Sequence, residues 1–554
     1  MVWSTGLDPN GGLQPRLSVV VRSHVVIRLR ECGVVAVIAA LGWLFACRTP
    51  GTGSPSSGSP ASPVPEVRGL ILSTDRGPLA GKALDSGVRA FLGVPFAAPP
   101  IGALRWRPPA EAPAWTAPRD ATAVGPACAQ RATPTYARAD EDCLTLNVWT
   151  PPGGAAAKPV LAWIPGGGFA EGSGGYRLYD GARLAARVDA VVVTMNYRVG
   201  ALGFMAHPDL ARELGRSASP SYGLLDQRAA LTWIQRNIRA FGGDPDNVTI
   251  FGESAGAFSV CAHLAMPASR GLFARAIMQS GACADPLYFG PREAEAQGKQ
   301  LAQALGCRDM TCLRAKSADA VLRALPLKRG FILPPGVWWG PVVDGVELPT
   351  LPLHALRAGA GAKVPLIVGW NRDEGTAHTI SFPSVTRQDR DAYVRESFGE
   401  AAVAPVAERY TRVGFKQSLD SVITEGAFVC ESRRAARAHA AHGAPVYVYE
   451  LTHTLESPPF HALGATHQVD LWFVFGNEEA GIALAPSELP LFHTIMDAWG
   501  RFARTGDPNG PGLTWPRYTA DRDELVLLDS APTVAAGSKR EICAFWDRFE
   551  RRLQ

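Results

Sequence analysis

Val248-Thr249-Ile250-Phe251-Gly252-Glu253-Ser254-Ala255-Gly256 is the stretch on which the reading of this chain turns. Its first four residues are β-branched or aromatic and predict a buried strand. The apolar residues from Ala257 to Ala265 predict a helix. Between the two stands Gly-x-Ser-x-Gly, the pattern of a tight strand-to-helix elbow. Its glycines let the backbone turn sharply, and the Ser254 hydroxyl is left standing above the sheet. Taken alone the pentapeptide also reads as a Gly-rich turn. Its meaning depends on partner groups in the right chain order.

The alternation of strand and helix extends to both sides. Pro159 to Ile164, Val191 to Asn196, Val364 to Gly369 and Val446 to Leu451 are further strand candidates, most of them near-continuous apolar runs. Such runs belong to a sheet covered on both faces. Leu224 to Phe241 and Pro291 to Leu305 have helical patterns, the second opening with the proline that suits a first helical position. The fold class expected is α/β, a doubly wound and mainly parallel sheet. Residues 284–340 and 378–440 are mostly helical in pattern and interrupt the alternation as insertions over the site.

A chain of 554 residues that is 47% hydrophobic can bury a large core. The net charge is +4, with basic residues scattered, so no nucleic-acid groove is expected. No repeat, phosphate loop or dinucleotide fingerprint is present. The first 65 residues differ in kind. Arg22, Arg28 and Arg30 precede an apolar run from Gly33 to Ala46, the length of a signal-peptide core. It ends in Leu44-Phe45-Ala46-Cys47, which resembles a bacterial lipoprotein cleavage box with Cys47 as the lipidated residue; an ordinary secretory signal is the alternative. Residues 1–47 are therefore read as a leader and 48–65 as a disordered Gly/Ser/Pro tether, with the folded domain over 66–554. Export is expected, to the periplasm, the outer membrane or the medium, with a lipid anchor through Cys47 as one outcome.

A serine hydroxyl needs a base to accept its proton and a carboxylate to orient that base. In the α/β-hydrolase arrangement the order is Ser, then Asp/Glu, then His, each partner following a strand. Beyond Ser254, the Val364–Gly369 strand runs into Asn371-Arg372-Asp373-Glu374-Gly375, which offers two carboxylates. His378 shares the acid's own loop and follows no new strand. His453, His461 and His467 follow the next strand, and the residues alone leave these three open. A tetrahedral intermediate also needs backbone donors. Gly166-Gly167-Gly168, after the strand ending at Ile164, and the N–H of Ala255 are candidates.

With these motifs in place the chain resembles the type-B carboxylesterases, the family of bacterial para-nitrobenzyl esterases, vertebrate carboxylesterases and cholinesterases. The resemblance runs from Gly69 to Arg551. It is carried by Phe91-Leu92-Gly93-Val94-Pro95-Phe96-Ala97, Glu141-Asp142-Cys143-Leu144, Trp163-Ile164-Pro165-Gly166-Gly167-Gly168-Phe169 and Asn196-Tyr197-Arg198. Phe241-Gly242-Gly243-Asp244-Pro245, the Ser254 elbow and Phe502-Ala503-Arg504-Thr505-Gly506-Asp507-Pro508 carry the rest. It implies an exported serine carboxylesterase with the triad Ser254, Glu374 and His467. The oxyanion donors would be Gly167, Gly168 and Ala255. Glu253, Ser280 and Asp470 would stand behind the triad, and no cofactor or metal is needed. It also implies the disulfides Cys128–Cys143, Cys307–Cys312 and Cys430–Cys543, leaving Cys261 and Cys283 as buried thiols.

The chain departs from the family in places. Pro165 stands where His or Tyr is frequent, and Ser221 replaces an Asn. The loop between Cys128 and Cys143 holds only Tyr136 as an aromatic, with no tryptophan to stack on a quaternary ammonium. That argues against a choline ester. Leu287, Val337, Trp338 and Trp339 match the acyl-pocket region and favour an uncharged acyl group, although such residues also serve as core packing. The rival readings are a same-fold hydrolase of amides, lactones or polymeric esters, and a non-catalytic adhesion protein.

Overall fold

The computed structural model describes residues 70–550 apart from 132–137, 154–156, 282, 284–286, 329–331, 334, 383 and 459. The leader, Cys47, the tether and Tyr136 lie outside the described residues.

Apolar, β-branched runs build the parallel centre of the sheet. They are β1 (Lys158–Ile164), β2 (Val191–Met195), β3 (Gly243–Glu253), β4 (Arg275–Gln279), β5 (Leu366–Asn371), β6 (Val446–Leu451) and β7 (Glu524–Leu528). In space the order is β2-β1-β3-β4-β5-β6-β7, with every neighbouring pair parallel. Antiparallel strands flank it. Thr145–Thr150, Arg89–Pro95, Pro78–Ala83 and Leu70–Ser73 lie beyond β2, and Thr533–Ala536 lies beyond β7. The expected α/β-hydrolase sheet is thus present. β4 and β7, short strands with polar or charged ends, are additions to the strands read from pattern.

Side chains alternate between two cores. Val160, Ala162, Ile164, Val248 and Ile250 face one, and Leu161, Trp163 and Phe251 face the other. Helices α1 (Tyr222–Asn237) and α2 (Ala255–Ala265) supply Leu224, Leu231, Ile234, Phe258 and Val260 to the first core. Helix α3 (Pro291–Ala304) lies in the first insertion and the short α4 (Gly375–Thr379) follows the acid loop, with α5 (Asp470–Phe475) and α6 (Leu489–Thr505) later in the chain. α5 and α6 cover the second core with Phe473, Phe475, Ile495 and Trp499. Burial on both faces explains why the strands read as continuous rather than alternating.

Strand order dictates where a site forms. The chain passes from β1 to β2 on one side, then crosses to place β3 on the other side of β1. The carboxyl ends of β1 and β3 therefore flank a topological switch point, where connections diverge and leave a crevice. Gly252 pairs with Ile164 in register, so the glycine turn after β1 and the elbow after β3 begin side by side.

Four disulfides lie among the described residues: Cys128–Cys143, Cys261–Cys283, Cys307–Cys312 and Cys430–Cys543. The second corrects the expectation of free thiols at Cys261 and Cys283. These residues are 22 apart in sequence, but α2 packs on β4, and the segment leaving β4 brings the two Cα atoms to 5.4 Å. At the two departures from the family, Tyr197 Oη donates to the Pro165 carbonyl at 2.9 Å, and Ser221 Oγ accepts from Val342 N–H at 2.8 Å.

Candidate active site

Ser254 sits between β3 and α2 at φ 55°, ψ −126°, a backbone conformation L-residues rarely adopt. Close packing holds it there. A Cβ on Gly256 would stand 2.0 Å from the Ile164 carbonyl oxygen, so only glycine lets α2 start against the end of β1. Among residues 251–260, all described, Ser254 alone is not buried.

The acid loop continues β5. Glu374 is fully buried; its Oε1 accepts the Asn371 N–H at 2.7 Å, and its Oε2 lies 2.6 Å from His467 Nδ1. The neighbouring Asp373 has a different task. Its Oδ2 accepts the Ala465 N–H at 2.9 Å, and it bridges to Thr466, which clamps the turn carrying His467. Gly464 makes that clamp possible: a Cβ there would stand 2.2 Å from Asp373 Oδ2. The two carboxylates left adjacent by the sequence are thus sorted. One touches the imidazole and the other holds its loop.

The histidines are sorted in the same way. His453 lies between Glu488 at 3.0 Å and Asp529 at 3.1 Å. His461 lies in a separate short turn over Phe460–Leu463. Only His467 reaches the acid. Its other nitrogen, Nε2, is 3.1 Å from Oε1 of Glu253, the residue before Ser254, so the ring edge faces the elbow.

Behind the triad candidates, Asp470 accepts from Gln279 Nε2 at 2.7 Å and from Asn371 Nδ2 and Tyr449 Oη, both at 3.3 Å. Ser280, at φ 50°, donates its N–H to Gly369 O at 2.9 Å and sets its hydroxyl toward Glu374. Asn371, Gln279 and Tyr449 escaped sequence reasoning because each sits in an apolar strand with no motif of its own.

This arrangement buries three carboxyls around one imidazole. Burial pushes Glu253 well above the usual carboxylate range, with the charges of Asp470 and Glu374 adding to the rise. Burial likewise raises Asp470 and lifts Glu374, the latter opposed by the Asn371 N–H bond and the nearby Ser280 hydroxyl. The same burial lowers His467 to about 4. A neutral His467 whose Nδ1 is engaged by Glu374 keeps Nε2 as its basic nitrogen.

On the other side of the crevice, Gly167 and Gly168 have φ of 109° and 59°, and Gly167 O accepts from Ala170 and Glu171 N–H at 3.0 Å. The N–H groups of Gly167, Gly168 and Ala255 donate to no group among the described residues. Of the expected pocket residues, Val337 and Trp339 join the main core, and Trp339 borders a cavity with Ala170 and Gly200 beside the glycine turn. Trp338 packs instead with Phe289, Ala294 and Val342 in a separate cluster, and Leu287 touches both this cluster and the main core. Among the described residues no group of three His, Cys, Asp or Glu side chains is placed to hold a metal ion.

A sequence model of the carboxylesterase family matches residues 68–546. The chain is 37% identical over 486 residues to the para-nitrobenzyl esterase of Bacillus subtilis, covering 84% of this chain and 96% of that enzyme. It is 37% identical over 490 residues to the fumonisin B1 esterase of Sphingopyxis macrogoltabida, covering 83% and 86%. It is 34% identical over 537 residues to the acetylcholinesterase of Bungarus fasciatus, covering 87% of each. Among solved structures it is similar to a thermophilic PNB esterase, with a TM-score of 0.77 at 34% identity, covering 86% of this chain and 99% of that one.

Proposed function

The chain belongs to the carboxylesterase family and is a carboxylic ester hydrolase; on that premise we propose that Ser254 is its nucleophile, His467 its general base and Glu374 the carboxylate that orients the base. The observation that carries this assignment is the 2.6 Å contact between His467 Nδ1 and Glu374, on loops that converge on the Ser254 elbow. Ser254 Oγ attacks the ester carbonyl as His467 Nε2 takes its proton. The imidazolium that forms is stabilised by Glu374. Negative charge on the carbonyl oxygen is met by the N–H groups of Gly167, Gly168 and Ala255, preorganised donors that need no rearrangement. His467 then protonates the departing alkoxide, and a water activated by the same ring releases the acid.

Glu253 and Asp470 act through others. Asp470 fixes Asn371, which in turn fixes the Glu374 carboxylate. An uncharged acyl group suits the apolar Leu287, Val337 and Trp339, of which Trp339 borders the cavity beside the glycine turn. The lack of a tryptophan between Cys128 and Cys143 argues against quaternary ammonium alcohols. Ser254→Ala should abolish hydrolysis of short-chain p-nitrophenyl esters with an unchanged circular dichroism spectrum. Wild-type turnover in that variant would remove the mechanism.

The leader implies export. Cys47, after Leu44-Phe45-Ala46, fits acylation that tethers the enzyme to a membrane surface through residues 48–65. No helix among the described residues is long and apolar enough to cross a membrane. Metabolic labelling with a fatty-acid analogue should tag the wild type and not Cys47→Ser. An unlabelled wild type would sink the anchor.

A further inference from the structure

One imidazole beside the triad has no part in the chemistry above. His378 lies four residues beyond Glu374, one turn along α4, and so projects from the same side of the chain. Its ring centroid is 4.9 Å from that of His467 and 5.7 Å from Phe428, which is itself 4.9 Å from His467. The three rings form one contact group at the reacting centre.

Two ordinary roles fail. A second base would need a carboxylate to hold its ring as Glu374 holds His467, and no described carboxylate bonds His378. A structural anchor would have a hydrogen-bond partner. No hydrogen bond joins His378 to a described residue, and its Nε2 is shielded from solvent without a hydrogen-bond partner. Leaving such a nitrogen unpaired costs free energy, whereas a phenyl ring would fill the same space beside Phe428 and His467 without that cost. The ring is neutral, so it offers no charge to an anion; it offers one donor and one acceptor beside the rings of Phe428 and His467.

We infer that His378 is a specificity residue whose half-buried ring hydrogen-bonds a hydroxyl carried by the substrate close to the reacting carbonyl, so that hydroxylated esters are preferred over their plain aliphatic counterparts. This rests on the triad reading given above. Sites built to pair a substrate hydroxyl discriminate against the analogue that lacks it, because the polar group of the site is then left unpaired.

Two isosteric ester pairs test it by pH-stat on the full-length enzyme. Ethyl 3-hydroxybutyrate against ethyl 3-methylbutyrate probes the acyl side, and 2-hydroxyethyl butyrate against propyl butyrate probes the alcohol side. In one of the pairs, the wild-type ratio of kcat/KM should exceed that of His378→Phe by about five- to tenfold. His378→Gln, which keeps a donor and an acceptor, should recover part of the ratio. Ratios unchanged in His378→Phe, including an equal loss on all four esters, would overturn the inference. If the wild type hydrolyses all four, that result leaves the triad reading standing, whereas the triad falls only by the Ser254→Ala outcome.

Discussion

Breaking the Cys261–Cys283 bond should destabilise the enzyme by an amount that its loop length predicts. The bond closes 22 residues between α2 and the segment after β4, with both cysteines fully buried. In the chain-entropy model a loop of that size restricts the unfolded chain by about 3.4 kcal/mol. Unfolding entropy of roughly 2.1 cal/mol/K per residue over the roughly 460 described residues gives about 1 kcal/mol/K, so Tm should fall by about 3 °C. Differential scanning calorimetry of Cys261→Ala/Cys283→Ala at fixed protein concentration and scan rate measures this. Cys261→Ala alone should cost nearly as much, since either change opens the loop. Peptide mapping supplies the chemical check: in unreduced, denatured wild type, neither cysteine should take up iodoacetamide. Alkylation of both, or variants melting with the wild type, would refute the reasoning.

Glu374→Gln removes the carboxylate at His467 Nδ1 and should lower kcat by about a thousandfold or more, as loss of the orienting acid does in related triads; a loss under tenfold would point to another acid. Because burial depresses His467 to about 4, the free enzyme keeps a neutral base as pH falls and loses it only on passing through the depressed value. The acid limb of kcat/KM should therefore lie below the ordinary histidine value of about 6.5. A midpoint at or above that value would mean that ionised Glu374 outweighs burial. In Gly256→Ala the new methyl meets the Ile164 carbonyl at 2.0 Å, which is backbone and cannot swing aside. The start of α2 and the Ala255 N–H must shift, and steady-state assays should show kcat down by about a hundredfold. Asp373→Asn weakens the clamp on Ala465 and should lower kcat less than Glu374→Gln does; the reverse order would exchange their roles.

The fold was legible because its strands are buried on both faces. Runs such as Val191-Val192-Val193 have no other stable use, and Gly-x-Ser-x-Gly between a strand and a helix is a local event encoded in nine consecutive residues. The site was legible in part. Local chemistry marked Ser254 and the glycine turn, but it offered two adjacent carboxylates and three histidines. No local pattern separated them, since the choice rests on contacts across some ninety residues. The Cys261–Cys283 bond was missed for a similar reason: pairing depends on how α2 lies against β4, which cysteine spacing does not carry. His378 follows no new strand, yet its four-residue offset from Glu374 on a helix is a readable sign that it stands beside His467.

By itself, then, the sequence determined the α/β sheet, the elbow at Ser254, the glycine turn after β1 and, through its ordered motifs, the family. These follow from periodicity and from backbone conformations that particular residues permit. Only the tertiary structure showed the contact of Glu374 with the imidazole that the family resemblance implied, joined Cys261 to Cys283, and set His378 beside His467 with its Nε2 unpaired among the described residues. Those depend on distances between segments remote in the chain, and such distances are set by packing of the whole sheet and its helices rather than by any local run of residues.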